Sequence, residues 1–382
     1  MITRSFPITA TRPPRGGFIL RQRGRSSGFT LAELLVSVFV LTLIILMVAQ
    51  LMSSATAITR PSSKQIDTDT QARVVLDRMA LDIGQMLKRT DVDYFIKGPA
   101  TYNSHGHGQG HGWGHGLGTN QLGSDQIAFF SQVRGYYPAG YTSEQESPIS
   151  LVAYRVNQGS TTNNPSYMRL ERMSKGLGWN ALISNPNTNS PYPIVFLPQT
   201  IAGVGKPWSP AINNTSTCSG NNNSCDPDYE TVGAAVFRFE YYYLLKNGRL
   251  TDVPWNRDVW PTRQSLTDPT NIGLTEVEAI GVTIAVIDPA GRALIDAASS
   301  SSLLDLASDL NDFASAHGRG IGNQTRYIGM LESDWKGVLF GDASQGLPGI
   351  VNTARTSAGS PVPPEAAKAI RVYNRYFDLK SL

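Results

Sequence analysis

The first 28 residues contain no acidic side chain, although they carry six arginines: Arg4, Arg12, Arg15, Arg21, Arg23 and Arg25. Just beyond them, Leu34 to Met52 runs for nineteen residues without a charge, a glycine or a proline. As a helix this run measures ~28 Å at 1.5 Å per residue, about one bilayer core. A basic flank ahead of an apolar span keeps that end in the cytoplasm and sends the rest of the chain outward. The motifs of catalysis are lacking as well. There is no His-Glu-x-x-His, and the nearest approach to a hydrolase nucleophile elbow, Gly341-Asp-Ala-Ser344-Gln-Gly346, is off by one position. No G-x-G-x-x-G or G-x-x-x-x-G-K-[ST] occurs, so phosphate binding is not supported. No enzymatic activity and no cofactor are expected.

Net positive charge is lacking too once the leader is set aside. The whole chain has 33 basic and 30 acidic residues, or +3; without the six leader arginines the balance is 27 against 30, or −3. No nucleic-acid partner is therefore expected. Cysteine is scarce, with only Cys218 and Cys225, in Cys-Ser-Gly-Asn-Asn-Asn-Ser-Cys. An even pair in an exported chain favours a disulfide. Metal ligation would call for Cys-x-x-Cys-like spacing, which is absent.

What is present centres on Gly28-Phe29-Thr30-Leu31-Ala32-Glu33-Leu34-Leu35, where Glu33 is the only charge between Phe29 and Thr59. A carboxylate within an apolar span costs on the order of 2.5–3.5 kcal/mol at the helix centre and less near an end, so it calls for a partner. If the chain is cut after Gly28, the new Phe29 amine of a neighbouring copy can supply one. At ~4 Å and an effective dielectric of ~20 that pair gains about 4 kcal/mol. Two other readings use fewer of these residues. A secretory signal peptide would be cut after Ala55-Thr56-Ala57, and a plain single-span anchor would leave Gly28, Phe29 and Glu33 as accidents.

These residues resemble the type IV pilin and pseudopilin superfamily: a basic leader, Gly at the cut, Phe at the first mature position, Glu at the fifth, then an apolar helix. The resemblance implies cleavage after Gly28 by a prepilin peptidase, N-methylation of Phe29, and assembly with other subunits through the helix and Glu33. It also implies an inner-membrane, single-pass precursor with its head in the periplasm, followed by a pilus or pseudopilus. The expected role is that of a minor pilin or pseudopilin. The alternative is an anchored or secreted periplasmic binding protein with a metal-capturing loop.

Further on, Arg60-Pro61 reads as the end of, or a kink in, the membrane helix. Ser62 and Gln65 fit a capping box for a second, amphipathic helix reaching to about Arg89. Ala72, Val75, Met79, Ile83, Met86 and Leu87 share its apolar face, while Asp67, Asp69, Arg73, Asp77, Arg78, Asp82 and Lys88 decorate the flanks. Between Asn103 and Gly123 lies a His/Gly-rich stretch. Its His105, His107, His111 and His115 could chelate Ni²⁺, Cu²⁺ or Zn²⁺, or simply ride on a surface loop. An acidic turn, Asp226-Pro-Asp228-Tyr-Glu230, is a weaker Ca²⁺ candidate.

Strands are expected at Asp125 to Val133, Ile149 to Asn157, Tyr167 to Arg172, Ile194 to Leu197, Val232 to Leu245 and Val277 to Ile287. Asn247-Gly248 marks a turn, Ser302 to Ala316 a helix, and Ile370 to Phe377 a final strand. The tyrosine-ended strand, Gly turn, tryptophan and closing strand resemble the J-type minor pseudopilin of type II secretion. Length and phrasing also resemble Verru-Chthon cassette protein C. The expected fold is α+β, a long N-terminal membrane-spanning helix continuing into an amphipathic helix packed on an antiparallel sheet, with loop insertions. The expected divisions are leader 1–28, apolar helix 29–59, amphipathic helix 60–90, His/Gly loop 91–125 and β-rich head 126–382.

Overall fold

Helix α1 spans Leu31–Gly84, 54 residues without interruption. The computed structural model describes residues 30–88, 124–137, 146–157, 166–178, 192–193, 212, 228–251, 274, 277–313 and 327–379, with the side chains of 54–67 and 192–193 excepted. The chain divides into two compact units, Met1–Arg60 and Pro61–Leu382. The helix does not end at Pro61, and Ser62 is not its N-cap. An N-cap has non-helical backbone, whereas Ser62 lies inside continuous helix and so has no first-turn amide to satisfy. The C-terminal end differs as well. The helix stops at Gly84, and Met86 instead forms a bridge with Ser131, while the Leu87 amide donates to the Phe130 carbonyl at 2.8 Å.

Within the second unit, Ala72, Val75, Leu76, Met79 and Ile83 are buried at helical spacing. They pack in one core with both sheets described next. The first sheet joins β1 (Gln126–Ser131), β2 (Glu146–Val156) and β3 (Leu170–Gly178) as antiparallel neighbours. The far edge of β3 is shared between β5 (Tyr229–Gly233), antiparallel, and the short parallel β4 (Tyr192–Pro193). One face, with Phe129, Val152, Tyr154 and Leu170, joins the main core; the other, with Phe130, Leu151, Ala153 and Met173, forms a smaller core with Ile212.

The second sheet is antiparallel throughout, in the order β7 (Leu250–Thr251), β6 (Val236–Leu245), β8 (Val277–Val286), β9 (Arg371–Asp378). Two strand expectations are corrected. Val232 to Leu245 is not one strand: it breaks at Ala234–Ala235, and the chain passes there from the first sheet to the second. The strand expected from Tyr167 begins instead at Leu170, because 166–168 form a turn in which Met168 has φ +50°. That left-handed conformation is costly for a side chain with a Cβ. Arg292 holds the turn by donating to the carbonyls of Tyr167 (2.6 Å) and Met168 (2.9 Å).

The two sheets are stitched at residues 124–125. The Asp125 amide donates to the Phe239 carbonyl (2.9 Å), and its carboxylate accepts from the Tyr241 amide (3.0 Å). Ser124 Oγ accepts from the Phe239 amide (3.1 Å). Side chains thus satisfy a stretch of β6 edge that would otherwise present orphan donors.

Between β8 and β9 the described residues form helices α2 (Pro289–Ala298), α3 (Ser302–Asp309), α4 (Met330–Phe340), α5 (Ile350–Thr353) and α6 (Pro364–Ala369). Helix α3 is shorter than expected. The segment after it packs on the face of the second sheet that carries Arg238, Glu240 and Tyr242. Phe313 stacks on Tyr242 at 4.4 Å between ring centres, and its amide donates to Glu240 at 2.9 Å. The opposite face meets α1, where Arg375 reaches Asp77 at 2.5 Å and the Tyr373 hydroxyl donates to Asp69. The strand expected at Ile194 to Leu197 lies outside the described residues.

Candidate processing and assembly site

Thr30 is the first residue described, and it caps α1. Its carbonyl accepts the first helical hydrogen bond, from the Leu34 amide at 3.2 Å. Its hydroxyl accepts from the Glu33 amide at 3.3 Å, while Glu33 Oε2 accepts from both the Thr30 amide and the Thr30 hydroxyl at 2.9 Å. This is the reciprocal Thr-x-x-Glu capping box, which satisfies amides that the first turn leaves without helical partners. Glu33 therefore already has partners within its own chain, and its negative charge lies at the positive end of the helix dipole. The sequence reading missed Thr30. The signal was the Thr-x-x-Glu spacing directly ahead of an apolar run.

Beyond the cap, residues 31–53 form a helix long and apolar enough to cross a membrane, and none of the most apolar stretch is buried by protein. Its hydroxyls turn back on the helix. Ser37 donates to the Glu33 carbonyl (2.7 Å), Thr42 to the Phe39 carbonyl (2.7 Å) and Ser53 to the Gln50 carbonyl (2.9 Å). Polar groups paired within the segment are what a hydrocarbon surrounding tolerates.

A second cluster, also missed, ties α1 to the first sheet. Asp82 was read as a surface charge, but it is fully buried. The Arg172 guanidinium donates to both its oxygens, at 2.7 and 3.1 Å, and the Tyr154 hydroxyl donates to one of them at 2.5 Å. Burial, reinforced by the Asp82 carboxylate, pushes the Tyr154 hydroxyl well above its ordinary pKa. Burial would lower the Arg172 guanidinium, but the hydrogen bonds to Asp82 outweigh it and raise it. Two signals pointed here: Asp82 falls three residues after Met79 on the apolar face, and Arg172 shares a strand face with Leu170.

The other candidate groups divide. Gly28, Phe29, Cys218, Cys225, His105, His107, His111 and His115 lie outside the described residues. Asp228 is paired with Lys175 at 2.5 Å, and Glu230 with Arg172 at 3.4 Å. Among the described residues no three His, Cys, Asp or Glu side chains group as metal ligands. Ser344 is held in a tight turn by Asp342, whose carboxylate accepts from its amide (2.8 Å) and hydroxyl (2.6 Å); these bonds lower the Asp342 pKa. Tyr241, Tyr242 and Tyr243 of β6 are all buried, since both faces of that strand are covered.

The fold and the N-terminal helix define an α+β protein with, among the described residues, one candidate membrane span close to its N-terminus. Residues 23–49 match the model of the prokaryotic N-terminal methylation motif, which brackets Thr30, Glu33 and the start of the apolar helix. No curated protein matches the chain.

Proposed function

We propose that the chain is the precursor of a minor pilin or pseudopilin. A prepilin peptidase removes residues 1–28 and methylates Phe29. The subunit waits in the inner membrane with its head in the periplasm, then joins a filament with other subunits through its apolar helix. Its work is assembly rather than catalysis. The observation that carries the reading is the overlap of the methylation motif with the capped, unburied apolar helix. Among the described residues Glu33 accepts from Thr30, and through Oε2, which leaves Oε1 for a neighbour's Phe29 amine. That contact is worth about 4 kcal/mol at an effective dielectric of ~20. N-terminal sequencing and intact mass of the membrane-extracted protein test the reading. The expected result is a chain beginning at Phe29 and one methyl group heavier than its sequence. A mature chain beginning at residue 58, or still at residue 1, overturns it.

A further inference from the structure

We propose that the outer edge of β9 docks a second copy of this chain, the two β9 strands pairing antiparallel about a two-fold axis at Tyr376. The contact lies in the head and does not depend on the apolar helix, so it goes beyond the reading above. The Leu379 amide donates to the Glu278 carbonyl at 2.8 Å, and the register then runs unbroken from Ala279↔Asp378 to Val286↔Arg371. Antiparallel pairing alternates, so residues 373, 375 and 377 turn their backbone groups towards β8. The amides and carbonyls of Asn374, Tyr376 and Asp378 face the other way, and among the described residues nothing bonds them there. Val372 is buried, Asn374 and Tyr376 are half-buried and Asp378 is exposed, which places the open stretch at 374–378. Sheets guard such an edge with proline, a bulge or a very short strand. β9 has eight residues, no proline and no register shift.

A second copy is favoured as the occupant because the other edges are closed or short. A head-to-tail contact between copies would need another open edge of similar length. β7 has two residues, and Ser124 and Asp125 occupy the β6 edge at Phe239 and Tyr241. The β1 edge is taken by the end of the helix, through Leu87 to Phe130 (2.8 Å) and Gln132 to Gln85 (2.9 Å). β5 has five residues and a register shift against β3, and a bulge of that kind turns an edge away from pairing. β9 is left to pair with itself, as an isologous contact. Side chains then choose the register. Centring the pair on Arg375 sets two guanidiniums opposite each other, which repel. Centring it on Asn374 carries the partner strand over buried Val372. Centring it on Tyr376 opposes Asn374 to Asp378 and Arg375 to Phe377, with no like charges facing. Arg375 already lies over the Phe377 ring of its own strand, at 5.5 Å, so the cation and the ring are compatible neighbours. The three outward residues of each strand then exchange about six backbone hydrogen bonds.

The test is cross-linking of the full chain in detergent with a short bis-maleimide, the wild type with its own two cysteines giving the background. Tyr376→Cys is expected to yield a covalent dimer. Arg371→Cys, on the order of 30 Å from its copy in this register, is not. Adding Asp378→Pro to Tyr376→Cys removes an outward amide that makes no bond within the chain. It should lower the dimer yield about tenfold and leave the unfolding midpoint in place. Asn374→Cys mixed with Asp378→Cys should join to each other, which keeps the test open if Tyr376→Cys fails to fold. Absence of both cross-links, equal linking by Arg371→Cys, or a dimer indifferent to Asp378→Pro overturns the proposal. Association through the apolar helix alone would give that last result, so the two contacts are told apart.

Discussion

Glu33 and Asp82 stand on one helix and solve the same electrostatic problem differently. Glu33 is exposed and keeps its charge, with one oxygen solvated locally by the Thr30 hydroxyl and amide. Asp82 is sealed in the core; its hydrogen-bond partners come from two strands, and Arg78 of its own helix lies 3.6 Å from it. A buried carboxylate held by a guanidinium contributes little net stability as a pair, but breaking it strands the surviving charge. Asp82→Asn is therefore expected to cost about 3–5 kcal/mol, seen as a lowered midpoint in thermal or urea unfolding of the full chain in detergent. Replacing both partners, Asp82→Leu with Arg172→Met, should cost much less than the sum of the single changes. The tyrosines set an alkaline limit. Burial first, and the hydrogen bond to Asp69 second, push Tyr373 up to about 12. In the unfolded chain a tyrosine titrates near ~10. Below that pH the contribution is complete. Between it and pH 12 the folded state holds the proton that the unfolded state has lost, so stability falls as pH rises. Tyrosinate absorbance and unfolding midpoints followed together should show the fall, and Tyr373→Phe should make it shallower.

The elements show what could be read in advance and what could not. Strands β1, β2, β8 and β9 announce themselves by β-branched and aromatic runs, and Asn247-Gly248 gives its turn, where Gly248 takes φ +78°. The break between β5 and β6 carries no such mark. Gly233-Ala234-Ala235 contains neither Pro nor Asn, and it is packing against α1 and Leu170 that bends the chain there, as Gly233 shows by its lack of room for a Cβ. Helix α2 was legible and went unread: Asp288 accepts from the Gly291 amide as its cap, and Pro289 occupies the first turn. The buried polar groups of α1 and β3 were the hardest to read. Sequence pattern sorts residues by type, whereas Asp82 and Arg172 are buried because they pair with each other, with Tyr154, Arg78 and Glu230 beside them. Close packing between β6 and β8 carries its own prediction. A Cβ on Gly281 would lie 2.6 Å from the Tyr242 ring, which is itself pinned by Phe313 and Tyr376. Gly281→Ala should cost about 1–3 kcal/mol by overpacking, measured by the same unfolding experiment.

At the scale of the whole molecule, the main core joins α1, both sheets and the C-terminal helices, while the His/Gly-rich stretch is polar and glycine-rich in sequence. Deleting 104–118 should accordingly leave the unfolding midpoint and export unchanged, because so polar and glycine-rich a segment has little apolar surface to bury. A large loss of stability, or protection by Ni²⁺ or Zn²⁺ in the intact chain alone, would show that the histidines are structural or metal-bound. Intact mass with and without reductant checks Cys218 and Cys225, where two thiols are expected to appear only on reduction.

The stitching at Ser124–Asp125 has a consequence for how this protein can change. Leu87, just before residues 89–123, is bonded to Phe130 of β1, and Asp125, just after them and directly ahead of β1, is bonded to Phe239 of β6. Both ends of the intervening segment are thus fastened to the framework, on the order of 15 Å apart along one strand. For a flexible connection between two fixed ends the closure cost grows only with the logarithm of length, about 0.6 kcal/mol per doubling. An insertion between these two anchors is therefore expected to leave the helix and both sheets in register, which the unfolding midpoint of a chain carrying a tag peptide there would check.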